Sequence, residues 1–372
     1  MDNQKETLQE TQEKALEHAQ GEATGTEKPY KRRVRYKGTH PRKFSEKYKE
    51  HNPEKYQETV EHVKRKGSTP AGMHISICVN EIIAFLNIQP GEKGLDATLG
   101  YGGHSTAMLQ CLQGEGHLYA LDVDPIEIVK TKKRLEERGF GPDILTIIPK
   151  NFCNIDQVAE EVGLFDFMLA DLGVSSMQID NPERGFTYKF DGPLDLRLNP
   201  EKGVSAATRL VDITLSELEG MLVENADEPY AKEIAKAVIT QQKKGKVIET
   251  TSDLREIIEE ALTYVPENER SKVVKKACQR TFQALRIDVN SEFEVLEAFL
   301  EKLPEVLAPG GRVAILTFHS GEDRLVKKSF KQFKKMGLYS DIAKDVIRPS
   351  AEECNANGRA KCTKMRWAVR AN

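Results

Sequence analysis

An α/β protein with a doubly wound, parallel sheet interrupted by an all-helical segment is the fold this sequence predicts, and three observations predict it. After Leu95, short apolar runs alternate with amphipathic helical stretches at the spacing of right-handed strand–helix–strand units. The first apolar run breaks into a glycine turn (Gly100, Gly102, Gly103), and a new helical pattern opens at Ser105. From Thr214 to about Val265 only helical stripes remain, such as Ile234 with Val238, and Leu254 with Ile257, Ile258 and Leu262.

Taken in order, Val79 to Leu86 reads as a helix leading into the strand before the glycine turn. Ser105 to Gln113 is the next helix, and His117 to Val123 a strand that ends in acid. Asp124 caps a helix to about Arg138, with Pro125 at its first position, where a missing N–H costs nothing. Ile144 to Ile148 is a third strand, Ile155 to Val162 a helix, and Phe165 to Leu172 a fourth strand. Residues 180–200 hold Pro, Gly, Asp and Arg in an irregular, ordered loop. After the helical insertion, Ser291 and Glu294 form the pattern of a capping box for a helix carrying Leu296, Leu300 and Leu303. Leu307 to Gly311 is expected to turn, and Arg312 to Phe318 to form a further buried strand. The expected divisions are an extension over 1–69, a first α/β part over 70–200, the helical insertion over 201–283 and a second α/β part over 284–372.

The composition sets bounds. The 372 residues suffice for a proper core, and a net charge of -3 leaves the choice of partner to local distribution. Residues 1 to about 27 carry acids, Gln and Thr with few large apolar side chains, and are expected to be disordered. Lys28 to Lys66 holds fourteen Lys/Arg against five Glu, interleaved with Tyr30, Tyr36, Phe44, Tyr48 and Tyr56. Such a segment either grips phosphates and stacks on bases or serves as a solvated linker. Within it, Asn52, Pro53 and Gly67 bracket a short helix. Six cysteines without a C-x-x-C pair point to a reducing compartment; Cys354 and Cys362 read as ordinary thiols, and no metal is expected. The amino terminus lacks an apolar leader pattern and no run has membrane-spanning length, so a cytoplasmic protein without a membrane partner is expected.

The glycine turn lets a ligand approach bare backbone at the carboxyl edge of the sheet, although a plain strand–turn–helix gives the same pattern. Its spacing departs from G-x-G-x-x-G, which disfavours a dinucleotide pyrophosphate and a nicotinamide oxidoreductase; a ligand with an adenosine end and no phosphate fits better. Asp122 follows the turn by about twenty residues, where a carboxylate meets ribose hydroxyls; the competing role of helix cap already falls to Asp124. Asp171 ends the fourth strand at the same edge. Phe152 follows the third strand and either covers an adenine ring or belongs to the core. His319 lacks a nucleophile elbow, so it is either a target-binding group or a packed or capping histidine.

Several segments together carry a resemblance. They are Thr98-Leu-Gly-Tyr-Gly-Gly-His-Ser105, Ala170-Asp-Leu-Gly-Val-Ser-Ser176, Glu183-Arg-Gly-Phe186 and Asp191-Gly-Pro-Leu-Asp-Leu-Arg197. With Arg280 to Glu292, Ala308-Pro-Gly-Gly-Arg312, Phe318-His-Ser320 and Glu322-Asp-Arg324, they closely resemble the bacterial 16S ribosomal RNA cytosine-N4 methyltransferases of the MraW type, in the family's order from about Met73 to Arg370. The departures are Gly321, where the family usually has leucine, a short segment after Ser329, and the first 70 residues.

The resemblance implies a class I S-adenosyl-L-methionine-dependent methyltransferase acting on the small ribosomal subunit. Its implied target is the N4 amine of a decoding-centre cytidine in 16S ribosomal RNA, cytosine 1402 in the family. Carried over by position, Gly102, Gly103, His104, Asp122, Phe152, Asp171 and Gln178 bind the donor. Asp171, with the backbone of Gly173 to Ser176, is the candidate catalytic group that holds the amine. Arg184, Phe186, Asp191, Asp195, Arg197 and His319 are the candidates for gripping an extruded cytidine; Arg184 and Arg197 have the alternative of pairing with loop carboxylates. Lys275, Lys276, Arg280 and Arg286 share one predicted helix and face phosphates in this reading. The oligomeric state is open, a homodimer among the options. The other functional classes kept open are a non-catalytic RNA-binding module and a methyltransferase for another pyrimidine position or another RNA.

Overall fold

The computed structural model describes residues 76–372. The acidic tail, the basic aromatic extension and the Asn52–Gly67 helix lie outside the described residues. Helix α1 (Val79–Leu86) leads into β1 (Lys93–Asp96), followed by α2 (Gly103–Leu112), β2 (His117–Leu121), α3 (Pro125–Glu137), β3 (Leu145–Ile148), α4 (Ile155–Val162) and β4 (Phe165–Asp171). Each lies within two residues of its expected bounds, because alternating apolar period and strong caps leave little freedom. Asp124 accepts from the Ile126 and Glu127 N–H groups and so opens α3 as expected.

A short helix α5 (Ser176–Asp180) follows β4, and an irregular loop leads to helices α6 (Ala206–Val211), α7 (Leu215–Ala226), α8 (Ala231–Lys243), α9 (Thr251–Ala261) and α10 (Glu267–Asn290). Helix α11 (Glu292–Val306) returns the chain to the sheet, which is completed by β5 (Leu307–Thr317), α12 (Ser320–Lys335), β6 (Tyr339–Ile342), α13 (Ala351–Ala356) and β7 (Lys364–Arg370). The seven strands run in the order β3-β2-β1-β4-β5-β7-β6. The five from β3 to β5 are parallel, whereas β7 pairs antiparallel with β5 and β6. The order reverses between β1 and β4, and a crevice opens there at the strands' carboxyl ends.

Three local expectations are corrected. The sheet is mixed, with β6 and β7 beyond the strands read from sequence. Strand β7 escapes a hydrophobic search because Arg366, only 6% exposed, interrupts its apolar run and is neutralised there by Asp323 at 2.6 Å. Leu307 to Gly311 belongs to β5 as an irregularity: its partners on β4 jump from Phe165 opposite Leu307 to Phe167 opposite Arg312. Ser291 makes no side-chain cap; at φ 49° it is a left-handed hinge between α10 and α11, which follow one another directly.

Side chains alternate along β4. Phe167 and Leu169 join α1, α2 and β2 in one apolar cluster, while Met168 and Ala170 join α11 and α12 in another on the opposite face. The helical segment has its own core. Ile234 and Val238 of α8 and Leu254, Ile257 and Ile258 of α9 meet there at helical spacing. Phe186, Leu194 and Leu196 of the preceding loop and Ala284 and Leu285 of α10 join it, so the apolar unit extends past both expected boundaries. No helix among the described residues is long and apolar enough to cross a membrane.

Candidate active site

A cavity of about 510 Å³ occupies the crevice. Its floor is the glycine turn after β1, where Gly100 and Gly102 take φ values of 47° and 79° that glycine adopts without strain. Helix α3 holds this turn from behind: Thr131 Oγ1 donates to Gly100 O at 2.6 Å and Arg134 Nη1 to Tyr101 O at 2.8 Å. A side chain at Gly102 would meet Thr131 Cγ2 at 2.8 Å, so the floor lies as close to α3 as backbone allows.

Asp122 lines the cavity beside the turn. Its Oδ2 accepts the Gly100 N–H at 2.8 Å and its Oδ1 the Asp124 N–H at 2.9 Å. Burial pushes its carboxyl up to about 6, with those N–H groups opposing and the Asp124 charge adding to the rise. Asp124 itself is fully buried and serves four donors. Beyond the two cap N–H groups, its Oδ2 accepts Gln178 Nε2 at 2.9 Å and Arg184 Nη1 at 2.7 Å.

Asp171 ends β4 on the opposite wall. Thr98 Oγ1 accepts its backbone N–H at 2.7 Å, while its Oδ1 is buried with no hydrogen-bond partner. Burial pushes this carboxyl up to about 6; His104 works against the rise, and the Asp96 and Glu322 charges add to it. His104 Nε2 sits 2.9 Å from Ile77 O, so that nitrogen carries a proton. Its Nδ1 lies 3.4 Å from Asp171 Oδ2, an approach that is attractive only with a further proton on one of the two groups.

The remaining expected donor contacts divide. Gly102, Gly103 and Phe152 reach the cavity, with Phe152 set edge-on to Phe299 at 5.1 Å. Gln178 also lines it, but its amide is engaged by Asp124 Oδ2 and by the Ser175 N–H at 2.9 Å, so its polar atoms serve the loop.

Of the expected target-gripping residues, the structure brings only Phe186 and His319 to the cavity. Arg184 is 6% exposed and tied to Asp124, and its other end donates to Arg197 O and Leu198 O. Arg197 pairs with Asp195 at 2.7 Å and donates to Gly203 O, and Asp191 accepts the Ser252 N–H. Arg184, Asp191, Asp195 and Arg197 therefore order the loop: their charges are already neutralised or hydrogen-bonded away from the cavity. Arg286, expected to meet phosphates, instead lines the cavity and holds Glu292 through two bonds of 2.7 Å.

Around His319 lies a polar cluster that the sequence did not reveal. His319 Nε2 stands 3.2 Å from Glu322 Oε1, at ion-pair distance but poorly angled, so the nitrogen has no hydrogen-bond partner. Burial would raise the Glu322 carboxyl, yet His319, the Phe318 N–H and the Arg286 charge together hold it below the usual range. Gly321 makes this packing possible: a Cβ there would meet Phe293 Cζ at 2.6 Å and Cε1 at 3.0 Å. Gly321→Ala is therefore expected to displace the Phe293 ring and His319 beside it, lowering stability by about 1–3 kcal/mol. Thermal unfolding checks this, and an unchanged Tm would show that the ring has room to give.

The residues present fit a cationic ligand with a sugar and an adenine-like ring. Two carboxyls raised by burial line the cavity beside the glycine turn, one with an unpartnered oxygen, and Phe152 offers an apolar wall. The model of the MraW methylase family matches residues 71–371 of this chain. A protein of Lachnoclostridium phytofermentans named ribosomal RNA small subunit methyltransferase H 1 is 68% identical over 94% of this chain and 96% of its own length. A protein of Heliobacterium modesticaldum named ribosomal RNA small subunit methyltransferase H is 38% identical over 79% of this chain and 97% of its own. Among solved structures, an rRNA methylase from Streptococcus thermophilus covers 81% of this chain and 100% of its own at 13% identity and a TM-score of 0.36, too distant a likeness to bear on function. With the family's match spanning every element that builds the cavity, this chain belongs to the MraW methylase family.

Proposed function

We propose that the protein transfers a methyl group from S-adenosylmethionine to the exocyclic N4 amine of a decoding-centre cytidine in 16S ribosomal RNA, cytosine 1402 in the family's numbering. The unpartnered, buried Oδ1 of Asp171, in a cavity that Asp122 also lines, is the observation that carries this reading. The names of the relatives support ribosomal RNA of the small subunit as the substrate. The insertion over residues 201–283 is the substrate-recognition part in this reading.

Bound, S-adenosylmethionine supplies an electrophilic methyl on a sulfonium; the chain's own groups bind, orient and handle protons. Asp122 is the acid for the sugar hydroxyls, and Gly102, Gly103, His104 and Phe152 complete the donor side. Asp171 Oδ1 accepts a hydrogen bond from the amine, which fixes the direction of the nitrogen lone pair, and takes up the proton that the methylated amine sheds. Holding two reactants in line is worth up to about 7–11 kcal/mol, enough to make positioning the main contribution. His319 Nε2, which like Tyr188 Oη and Arg359 Nη1 is a polar atom of a wall residue without a hydrogen-bond partner, binds the target base, with Phe186 against it.

An amine is the better target than the ring carbon. Methylation at carbon-5 needs a thiolate nucleophile. Among the described residues Cys362 is the cysteine on the cavity wall; the residue is exposed, but desolvation around its sulfur raises the thiol above the ordinary value, away from activation. Incubation of purified protein with small-subunit RNA and labelled donor, followed by nucleoside mass spectrometry, tests the reading. N4-methylcytidine is expected; 5-methylcytidine or 3-methylcytidine as sole product would overturn it.

A pH dependence follows from the two raised acids. Above about pH 7 both are ionised and attract the cationic donor; as pH falls through about 6 they take up protons and donor affinity declines. Stability moves the opposite way. Because the folded state holds these protons more tightly than the unfolded chain, Asp122 and Asp171 stabilise the donor-free fold increasingly between pH 6 and 4. Calorimetric titration from pH 8 to 5 checks the first statement, and a pH-independent affinity would contradict it.

A further inference from the structure

Helix α12 starts at the cavity and leaves it as a row of cations. Its first turn gives Glu322 to the cavity wall, and Asp323 turns inward to Lys364 at 3.0 Å and Arg366 at 2.6 Å. From there to its end the helix carries Arg324, Lys327, Lys328, Lys331, Lys334 and Lys335 and no acid, and all six cations are exposed. Val326 and Phe330, on the other face, are buried against the sheet.

Arg324, Lys328, Lys331 and Lys335 follow one another at i, i+4, i+7 and i+11, which places them in one stripe about 16 Å long. Among the described residues Lys327, Lys328, Lys331 and Lys335 have no carboxylate within ion-pair distance. Arg324 reaches Asp227 only at 3.9 Å, with both side chains about two-thirds exposed, and Lys334 reaches Asp341 at 3.2 Å. The helix dipole favours cations in the last turn and so accounts for Lys334 and Lys335, but not for the four that precede them. Like charges four residues apart weaken a helix by a few tenths of a kcal/mol per pair, and this stripe holds such pairs without local compensation. The neighbouring α11 presents Glu294, Glu297, Glu301 and Glu305 to solvent, and among the described residues none of them lies within ion-pair distance of the stripe. A lipid surface is a poor match, since the helix's apolar face is already buried in the protein.

We propose that the Arg324–Lys335 face of α12 binds the phosphate backbone of the RNA strand that delivers the target base. The proposal rests on the reading of the substrate as ribosomal RNA. The stripe begins two residues after Glu322, so a strand lying along it leads into the cavity. Its phosphate contacts add affinity without choosing the base, which is the part played by backbone contacts generally.

The test is a quadruple substitution in the full-length protein, Arg324→Gln, Lys328→Gln, Lys331→Gln and Lys335→Gln, compared with wild type for binding of small-subunit RNA at a series of salt concentrations. Every phosphate left without its cation is expected to reduce the log–log salt slope by about 0.7–0.9, so a fall of about 3 is predicted, with KM for RNA raised, kcat at saturating RNA kept, and donor affinity unchanged. A circular-dichroism melt confirms that the variant is folded, and removing like charges favours the helix. An unchanged slope alongside intact methylation overturns the surface and leaves the proposed function standing. An unchanged slope on naked RNA with weaker binding to the assembled subunit also overturns it, and assigns the face to an acidic protein. A wild type that binds RNA steeply but methylates none overturns the functional reading instead.

Discussion

Asp122→Ala is expected to lower affinity for S-adenosylmethionine by about two orders of magnitude. Hydrogen bonds to a charged acceptor contribute about 1.5–3 kcal/mol each, and the variant has none to offer a sugar. It also strips the Gly100 and Asp124 N–H groups of their shared acceptor, so the glycine turn loosens. Asp122→Asn keeps the side-chain volume and one acceptor oxygen but sets its NH2 against either the Gly100 or the Asp124 N–H, so it is expected to fall between Asp122→Ala and wild type in both respects. Calorimetry with the donor and a thermal melt without it measure both. An Asp122→Ala protein that binds within about threefold of wild type would show that the sugar is held elsewhere.

Arg184→Ala is expected to act on the fold. Removing one partner of a buried ion pair costs about 3–5 kcal/mol, and here it abandons a fully buried Asp124 and two backbone carbonyls together. The melting temperature should fall by roughly 10 °C, and Arg184→Lys should recover only part of it because an ammonium cannot span the same three acceptors. Arg197→Ala, whose two-pronged pair with Asp195 is about one-fifth exposed, should cost less than Arg184→Ala, about 1.5–3 kcal/mol. If Arg184→Ala instead melts with wild type and weakens only RNA binding, the arginine faces the target after all.

These two residues also mark what a sequence reveals and what it hides. Asp122 and Asp171 were legible because strand alternation fixes where each strand ends, and a carboxylate at that end faces the crevice whatever the rest of the chain does. Gly100 and Gly102 were legible because closely spaced glycines after an apolar strand mark a turn, and both take the left-handed φ that glycine adopts without strain. Arg184 stayed between two readings because its partner lies 60 residues earlier, and no local pattern distinguishes an arginine that orders a loop from one that awaits a ligand. Arg286 with Glu292 and His319 with Glu322 are near in sequence, but their burial together at the cavity exists only once α10, α11 and α12 meet there. Strand β7 was hidden by Arg366, whose charge is admissible in a buried strand only because Asp323 is there to neutralise it.

The central claim is that this cavity methylates a single cytidine amine through a donor gripped at the sheet's edge. Mass spectrometry of defined fragments of 16S ribosomal RNA, from cells lacking the gene and from the same cells carrying either the wild-type or the Asp171→Ala chain, addresses it most directly. A single N4-methyl mark at the decoding-centre cytidine should disappear on deletion, return with wild type and stay absent with Asp171→Ala. A mark that persists in the deleted strain, or that Asp171→Ala restores in full, would contradict the account.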